Sequence, residues 1–216
     1  MRLRITFAKT DAMRFTSHLD LHRTWERTMR RAGLPLAYSQ GFNPHPKINL
    51  ASALPLGFTG EGEVVDIWLE QDLPVDEIET RLEQAAPPGV QISRIQAIDE
   101  RTPTLQTELE ASEFTVIFLD PVQELDERLE ELLAAESLMR ERRGKTYDLR
   151  PLIRVLHRLP DDETGQARLF ARLTAHEGAT GRPEEVISAL GASPSATRVH
   201  RTRLIFREKE EAKPEP

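Results

Sequence analysis

The stretch RLRITFAKTDAMRFTSHLDLHRTWERTMRRAG, from Arg2 to Gly33, predicts a β-strand followed by an α-helix. In its first part the apolar side chains of Leu3, Ile5 and Phe7 alternate with polar ones. A period of two is typical of a strand that buries one face. We therefore expect a half-buried strand over Arg2–Ala8.

The second part of this stretch has the signals that begin and end a helix. Ser17, with Asp20 three residues later, is typical of a capping box. Gly33 and the following Pro35 are stop signals. Between them, one side of the predicted helix faces inward and the arginines occupy the other positions. The inward residues are Leu21, Trp25, Thr28, Met29 and Ala32, and the arginines are Arg23, Arg27, Arg30 and Arg31.

The rest of the N-terminal half completes the order βαββαβ. Residues 34–62 are rich in Gly and Pro and predict a hairpin with a long structured loop at Gly41–Pro46. The order is that of the ferredoxin-like fold, an antiparallel sheet with helices on one face. The further predicted elements are strands at Ile48–Ala51, Glu63–Leu69 and Val90–Ile98 and a helix at Val75–Ala85.

The pattern then repeats after a polar stretch, so we predict an α+β protein of two tandem ferredoxin-like halves. The halves are residues 1–98 and 111–206, joined by a linker at 99–110 and followed by a disordered tail at 207–216. Leu149–Leu159 also fits a helical stripe, and this alternative stays open. The predicted elements of the second half are strands at Phe114–Leu119, Ser137–Arg143, Leu152–Leu159, Ala167–Leu173 and Thr197–Phe206 and helices at Val122–Ala135 and Arg182–Leu190.

Composition and charge narrow the classes of function. The chain has 216 residues and no cysteine, which removes disulfides, thiolate zinc sites and thiolate-held iron–sulfur clusters. No stretch approaches the about 20 apolar residues of a membrane span, and the N-terminus lacks the apolar block of a signal peptide. We expect a cytoplasmic protein.

The net charge of −7 is unevenly distributed along the chain. The first 50 residues carry nine basic side chains against three acidic ones, and residues 140–158 carry seven against two. If the fold brings these regions together, they predict a face that binds phosphate groups. Ordinary solvated surfaces are the alternative.

The run YSQGFNPHPK, from Tyr38 to Lys47, predicts a rigid loop. Gly41 allows a positive φ, and the two prolines of the run restrict their predecessors to extended conformations. Its polar groups suit hydrogen bonds to phosphates or base edges, and Tyr38 and Phe42 suit stacking. The alternative is a purely structural loop with Phe42 in the core.

Other candidate sites have weaker signals. Residues 54–63 contain three glycines but no phosphate-binding motif, which favours a plain turn. His18 and His22, at helical i, i+4 spacing, together with His45 suggest a metal site, although structural roles are favoured. We find no motif for nucleophilic catalysis. His45 beside Tyr38 has the acid and base needed for RNA cleavage through the 2′-hydroxyl.

Four runs of the N-terminal third resemble the radical-SAM-linked protein family of bacteria. The resemblance implies that this chain works beside a radical SAM enzyme, whose cluster a cysteine-free chain does not hold itself. It transfers no catalytic residues, because the molecular function of the family is undetermined. The runs are RFTSHLD at 14–20, ER at 26–27 with RRAGLP at 30–35, YSQGFNPHP at 38–46 and ALPLG at 53–57.

We therefore expect a non-catalytic accessory protein that binds structured RNA, such as transfer or ribosomal RNA, and works with a radical SAM enzyme. We expect no cofactor. The alternatives are a metal-independent endoribonuclease with a duplicated ferredoxin-like fold, by analogy of fold, and a partner of the radical SAM enzyme that binds protein only. The predicted RNA-binding residues are Arg14, His18, Arg23, Arg27, Arg30, Arg31, Tyr38, Gln40, Gly41, Phe42, Asn43, His45, Lys47, Arg140, Arg142, Arg143 and Lys145.

Overall fold

The computed structural model describes residues 1–176 and 178–207 as a mixed α+β protein. The strands are β1 (Arg2–Lys9), β2 (Ile48–Leu50), β3 (Thr59–Trp68), β4 (Val90–Ile98), β5 (Leu109–Phe118), β6 (Met139–Arg142), β7 (Lys145–Asp148), β8 (Ile153–Leu159), β9 (Arg168–His176), β10 (Ala179–Thr180) and β11 (Thr197–Phe206). The α-helices are α1 (His18–Arg31), α2 (Val75–Ala85), α3 (Leu105–Glu108), α4 (Leu125–Ala134) and α5 (Pro183–Ala189).

Nine strands form one mainly antiparallel sheet in the order β10-β9-β5-β11-β3-β1-β4, with β2 paired to β3 and β8 to β9. We call β1 to β4 the N-terminal group of strands, and β5, β8, β9, β10 and β11 the C-terminal group. The two groups meet where β11 runs parallel to β3, with His200 opposite Thr59 and Arg201 opposite Gly60. The β6–β7 hairpin forms a separate two-stranded sheet.

The N-terminal core lies between one face of the sheet and the helices α1 and α2. Leu3, Ile5 and Phe7 are fully buried in it, as the alternation of β1 predicts. The ring of Phe7 contacts that of Trp25 on α1 edge to face, with 5.0 Å between their centroids. Ser17 caps α1 by accepting a hydrogen bond from the backbone N–H of Asp20, which confirms the predicted start of the helix.

The polar side of β1 is also buried, which its alternation does not predict. Arg2 and Arg4 both pair with Asp66 of β3, whose side chain is fully buried. Arg2 also donates to the backbone carbonyls of Thr102 and Pro103. Segment 99–108 therefore covers this side of the sheet.

The stretch predicted as a linker, residues 99–110, thus has structure of its own. It contains α3 and the start of β5, and it buries Leu105 and Leu109 against Val64 of β3. Val65, the next residue along β3, belongs to the core under α1 and α2. Because neighbouring residues of a strand point to opposite faces, α3 lies on the face opposite α1 and α2. The expectation that the helices share one face is wrong for α3.

The C-terminal core lies between β5, β8 and β9 of the sheet and the helices α4 and α5. Leu149–Leu159, for which strand and helix were both open, contains the strand β8. The segment predicted as a plain turn, 54–63, includes the first residues of β3, because Gly60 and Thr59 pair with β11. The sequence did not predict β7 or β10. The predicted tail at 207–216 lies outside the described residues after Arg207.

Within residues 1–176 and 178–207, each helix is too short or too polar to cross a membrane.

Candidate nucleic-acid interface

Helix α1 buries its apolar side in the core and exposes its arginines. Arg23 pairs with Asp20 at 3.3 Å. Exposed Arg27 and Arg31 make no ion pair or side-chain hydrogen bond with any other described residue. Two guanidinium groups on the outer surface of this helix are therefore free to bind an external anion.

A hydrogen bond joins α1 to the loop at 38–47. Arg30 donates from Nη2 to the hydroxyl of Tyr38 over 2.9 Å and also pairs with Glu26 at 2.8 Å. The bond to Tyr38 is the main cause of a raised pKa of Arg30. His22 of α1 also contacts the carbonyl oxygen of Ile48, beyond the other end of the loop, at 3.3 Å. The arginine-bearing helix and the loop thus form one continuous surface.

The loop is held at its base by backbone hydrogen bonds. Ser39 donates its N–H to the carbonyl of His45 over 2.8 Å, and its Oγ accepts from the N–H of His45 over 3.0 Å. Lys47 donates to the carbonyl of Ala37 over 2.8 Å. Gly41 has a φ of 134°, which L side chains rarely adopt. The base of the loop is therefore held firmly while its tip extends outward.

The tip of this loop is exposed to solvent. Phe42 is completely exposed, so the alternative that places it in the core is wrong. The remaining predicted contacts of the loop are exposed with it, namely Gln40, Gly41, Asn43, His45 and Lys47. Aromatic rings displayed in this way are the platforms on which unpaired bases stack.

The second basic region forms the β6–β7 hairpin. Arg143 and Gly144 make its turn, with φ values of 51° and 72°. The side chain of Asp148 accepts from the backbone N–H of Leu138 over 2.8 Å and from that of Arg150 over 2.9 Å, and these bonds lower its pKa. The hairpin is therefore fastened at its base.

The hairpin reaches the start of α1, at the opposite end of the helix from Arg30 and Arg31. Arg142 and His18 line the same cleft. Arg142 also lines an adjoining groove together with Arg143 and Lys145. Arg140 lies apart from them, in a groove beside Glu124, Glu127 and Glu131. The fold thus joins three of the four basic hairpin residues to the N-terminal end of α1.

Arg14 is half-buried, and its guanidinium lies 3.9 Å from the carboxylate of Asp11. Its guanidinium lies over the ring of Phe15, 4.6 Å from the centroid. Its carbonyl oxygen accepts from the N–H of Gly57 over 2.9 Å and from Nζ of Lys9 over 3.3 Å.

The positions of the histidines and of the Tyr38 hydroxyl do not favour a metal site or the nuclease alternative. His22 bonds to a backbone carbonyl, and His45 is at the exposed loop. No group of three or more His, Cys, Asp or Glu side chains is placed to hold a metal ion anywhere in the described ranges. The hydroxyl of Tyr38, the proposed partner of His45 in RNA cleavage, is occupied by Arg30.

Three charged residues of the cleft were not predicted from the sequence: Arg182, Glu184 and Arg201. They come from the start of α5 and from β11, far along the chain from α1. The only local signal was Pro183, which marks the first turn of α5.

A family model described as "Uncharacterized protein conserved in bacteria (DUF2344)" matches residues 2–183. The chain belongs to this family. The matched range contains α1, the loop at 38–47 and the β6–β7 hairpin. The family description says nothing of a radical SAM enzyme, so that link stays a prediction. A search of curated proteins finds no match.

The chain is similar in fold to part of a larger protein of known structure. It matches a chain of a Cbf5-Nop10-Gar1 complex with a TM-score of 0.52 and 13% identity, covering 96% of this chain and 50% of that one. A chain of an archaeal box H/ACA sRNP Nop10-Cbf5 complex matches at a TM-score of 0.47 and 14% identity, with 96% and 50% covered. This chain spans half the length of both. At 13% identity the likeness to the first of these chains is one of fold alone.

Proposed function

We propose that this chain binds structured RNA, such as transfer or ribosomal RNA, as a non-catalytic accessory protein of a radical SAM enzyme. The single observation that carries the proposal is the continuous surface of α1 and the loop at 38–47. There the unpaired guanidinium groups of Arg27 and Arg31 lie on the helix that Arg30 ties to the loop displaying Phe42. We call this the helix–loop surface.

The helix–loop surface combines the two chemistries that RNA recognition uses. Arginines bind phosphate oxygens without regard to sequence and release counterions from the RNA. Exposed aromatic rings stack on unpaired bases, which are the parts of folded RNA open to recognition. Because the loop is already held by its own backbone bonds, little conformational entropy is lost when it binds.

We interpret the nine-stranded sheet as two ferredoxin-like halves joined side by side. In the N-terminal half the strand order is β4-β1-β3-β2, and in the C-terminal half it is β11-β5-β9-β8. Both orders place the first and third strands of a βαββαβ unit side by side, and all of their pairs are antiparallel. This interpretation supports residues 1–98 and 111–206 as the two halves, with 99–110 between them.

A gel-shift assay with folded RNA at low salt tests the proposal. We expect a shifted complex with the unmodified protein and at least about tenfold weaker binding with Arg27→Glu/Arg31→Glu. Arg94→Glu/Arg101→Glu, which alters two exposed arginines on β4 and just after it, controls for the same change of net charge. The proposal is wrong if no RNA binds, or if the control weakens binding as much as the double variant.

The proposed link to a radical SAM enzyme has a candidate contact surface. Phe15, Leu19 and Leu56 are each at least 60% exposed, although they are large apolar side chains. The hydrogen bond from the N–H of Gly57 to the carbonyl of Arg14 holds the segment that contains Leu56 next to the one that contains Phe15. Exposed apolar side chains that lie together mark protein contacts.

Co-purification with a radical SAM enzyme after nuclease treatment tests this link. A complex that survives nuclease and is lost in Phe15→Ser/Leu56→Ser supports a direct contact. A complex that nuclease dissolves shows that RNA alone joins the two proteins, and no complex at all rejects the link.

A further inference from the structure

A cleft of about 490 Å³ lies where the N-terminal and C-terminal groups of strands meet. One wall comes from His18 at the start of α1 and from the segment at 52–56. The facing wall comes from Arg142 of β6, Thr180 of β10 and the start of α5. The volume lies within the about 300–1,000 Å³ of small-molecule sites.

The floor of the cleft is fixed by a buried ion pair. Arg201 binds both carboxylate oxygens of Glu63, with 2.7 Å between its Nε and Oε1. It also donates to the carbonyls of Ala53 over 3.2 Å and Ser52 over 3.3 Å. Its charge is therefore neutralised, and its role is to hold the segment at 52–54 in place.

Three buried polar atoms around the cleft lack a partner among the described residues. They are Nδ1 of His18, Nη1 of Arg142 and Oε2 of Glu184. Buried polar atoms in folded proteins nearly always have a hydrogen-bond partner, and exceptions point to a ligand or a functional role. Three such atoms lie on the two walls of this one cleft.

Arginines outnumber acidic side chains in the cleft, where Arg142, Arg182 and Arg201 lie with Glu184, whose charge interacts with that of Arg142. Arg142 makes no ion pair, and Arg182 donates one hydrogen bond, to the carbonyl of Thr180 over 3.3 Å. The groove that adjoins the cleft shares Arg142 and Arg182 and adds Arg143 and Lys145. Several cations around one opening, with planar guanidinium forks among them, suit a phosphate group.

The rest of the cleft suits the ring of a nucleotide. Leu54, Pro55 and Leu56 contribute apolar surface to one wall. Burial raises the pKa of Glu184, although the charge of Arg142 opposes this shift, and burial lowers the pKa of His18. A neutral imidazole both donates and accepts hydrogen bonds, and a carboxylate accepts them. Such groups match the mixed donors and acceptors of a base edge.

We propose that the cleft binds one nucleotide, with its phosphate on Arg142 and Arg182 and its base edge on His18 and Glu184. The nucleotide is either free in solution or an unpaired nucleotide of an RNA chain. The cleft shares His18 with α1, but its phosphate-binding arginines come from β6 and the start of α5, so a free nucleotide would bind there even if the helix–loop surface bound no RNA.

Calorimetric titration in phosphate-free buffer tests the site with the four ribonucleoside 5′-monophosphates, inorganic phosphate and a short unpaired oligoribonucleotide. We expect at least one monophosphate to bind more tightly than inorganic phosphate. Arg142→Gln/Arg182→Gln should weaken it by about tenfold or more, the usual effect of losing charged hydrogen bonds. The matched control, Arg94→Gln/Arg101→Gln, alters two exposed arginines outside the cleft and should bind as the unmodified protein does.

Glu184→Gln is a second variant that keeps the phosphate contacts. We expect it to retain binding but to change the preference among the four bases, whereas a purely structural role would leave the preference unaltered. If only the oligoribonucleotide binds, and Arg142→Gln/Arg182→Gln weakens it, the nucleotide comes from RNA. The proposal is overturned if no probe depends on these two arginines, or if inorganic phosphate binds as tightly as every nucleotide.

The two proposals fail independently. Loss of RNA binding in Arg27→Glu/Arg31→Glu with normal nucleotide binding supports both sites. Nucleotide binding without any RNA shift rejects the helix–loop surface alone. An RNA shift together with probe binding that does not respond to Arg142→Gln/Arg182→Gln rejects the cleft alone.

Discussion

Arg201 of β11 and Glu63 of β3 form a buried two-point ion pair across the parallel contact that joins the two groups of strands. Both side chains are almost fully buried, at 2% and 4% exposure. Because the same guanidinium also donates to the carbonyls of Ser52 and Ala53, it links β11, β3 and the segment after β2. The position of the cleft depends on this pair.

Removing one partner of the pair should destabilise the protein strongly. Glu63→Ala leaves a buried guanidinium without a counter-charge, and we expect the free energy of unfolding to fall by about 3–5 kcal/mol. Urea denaturation followed by circular dichroism measures this loss. The matched control is Glu61→Ala, because Glu61 is exposed and lies 3.7 Å from His200. Equal losses in the two variants would contradict a structural role for the pair.

Lys9 is a second buried cation with a structural role. It is fully buried, and its Nζ donates to the carbonyls of Arg14, Thr16 and Phe58. Burial is the main cause of its lowered pKa. Lys9→Met keeps the length but removes every donor, so we expect a loss of about 1–3 kcal/mol and faster amide exchange over residues 10–17.

The control for Lys9→Met is Lys47→Met, because the side chain of Lys47 is exposed. Lys47→Met should leave both the stability and the amide exchange of residues 10–17 unchanged, since surface substitutions have small effects. If Lys9→Met also leaves amide exchange unchanged, the three carbonyl contacts do not hold the approach to α1.

The charge of His18 should respond to pH below neutrality. Burial is the main cause of its lowered pKa, with smaller contributions from His22 and Arg201. The unfolded chain therefore binds this proton more readily than the folded one, and stability from this group is lost as pH falls below about 6.5. His18→Gln should lose less stability between pH 7 and pH 5 than the unmodified protein.

Two measurements check the behaviour of His18. The NMR signals of its ring protons should titrate with a midpoint below about 6.5. Urea denaturation at pH 7 and at pH 5 measures how much stability His18→Gln and the unmodified protein each lose. A midpoint at or above the ordinary value would contradict the effect of burial.

Phe42 should contribute to RNA binding without contributing to stability. Its ring contacts solvent on all sides, so Phe42→Ala removes no packing and should leave the free energy of unfolding unchanged. Loss of a stacked base should weaken binding of an RNA with an unpaired loop by about fivefold or more. Fluorescence anisotropy measures the affinity. Leu119→Ala, which alters an exposed apolar side chain outside the helix–loop surface, should bind RNA normally.

Much of the fold could be predicted because its signals are local. The bounds Val75–Ala85, Val90–Ile98 and Thr197–Phe206 were all predicted as the structure has them. Helix α1 was recognisable because Ser17 caps it and its inward residues have helical spacing. Such features depend on neighbours within about one turn of the chain.

The features that the sequence did not reveal depend on distant partners. Arg2 and Asp66 are 64 positions apart, and nothing near Arg2 indicates that its side of β1 is covered. The stretch 99–110 appeared polar because Leu105 and Leu109 are its only large apolar residues, which is too few to show a period. The cleft likewise brings His18 together with Arg142, a pairing that only the tertiary fold produces.

The salt dependence of RNA affinity tests the helix–loop surface most directly. The logarithm of the affinity should fall linearly with the logarithm of salt concentration, and Arg27→Glu/Arg31→Glu should make the slope shallower by roughly 1.5, as expected for two lost phosphate contacts. A slope that is identical in the double variant and the unmodified protein would contradict the account, because Arg27 and Arg31 would then contact no phosphate.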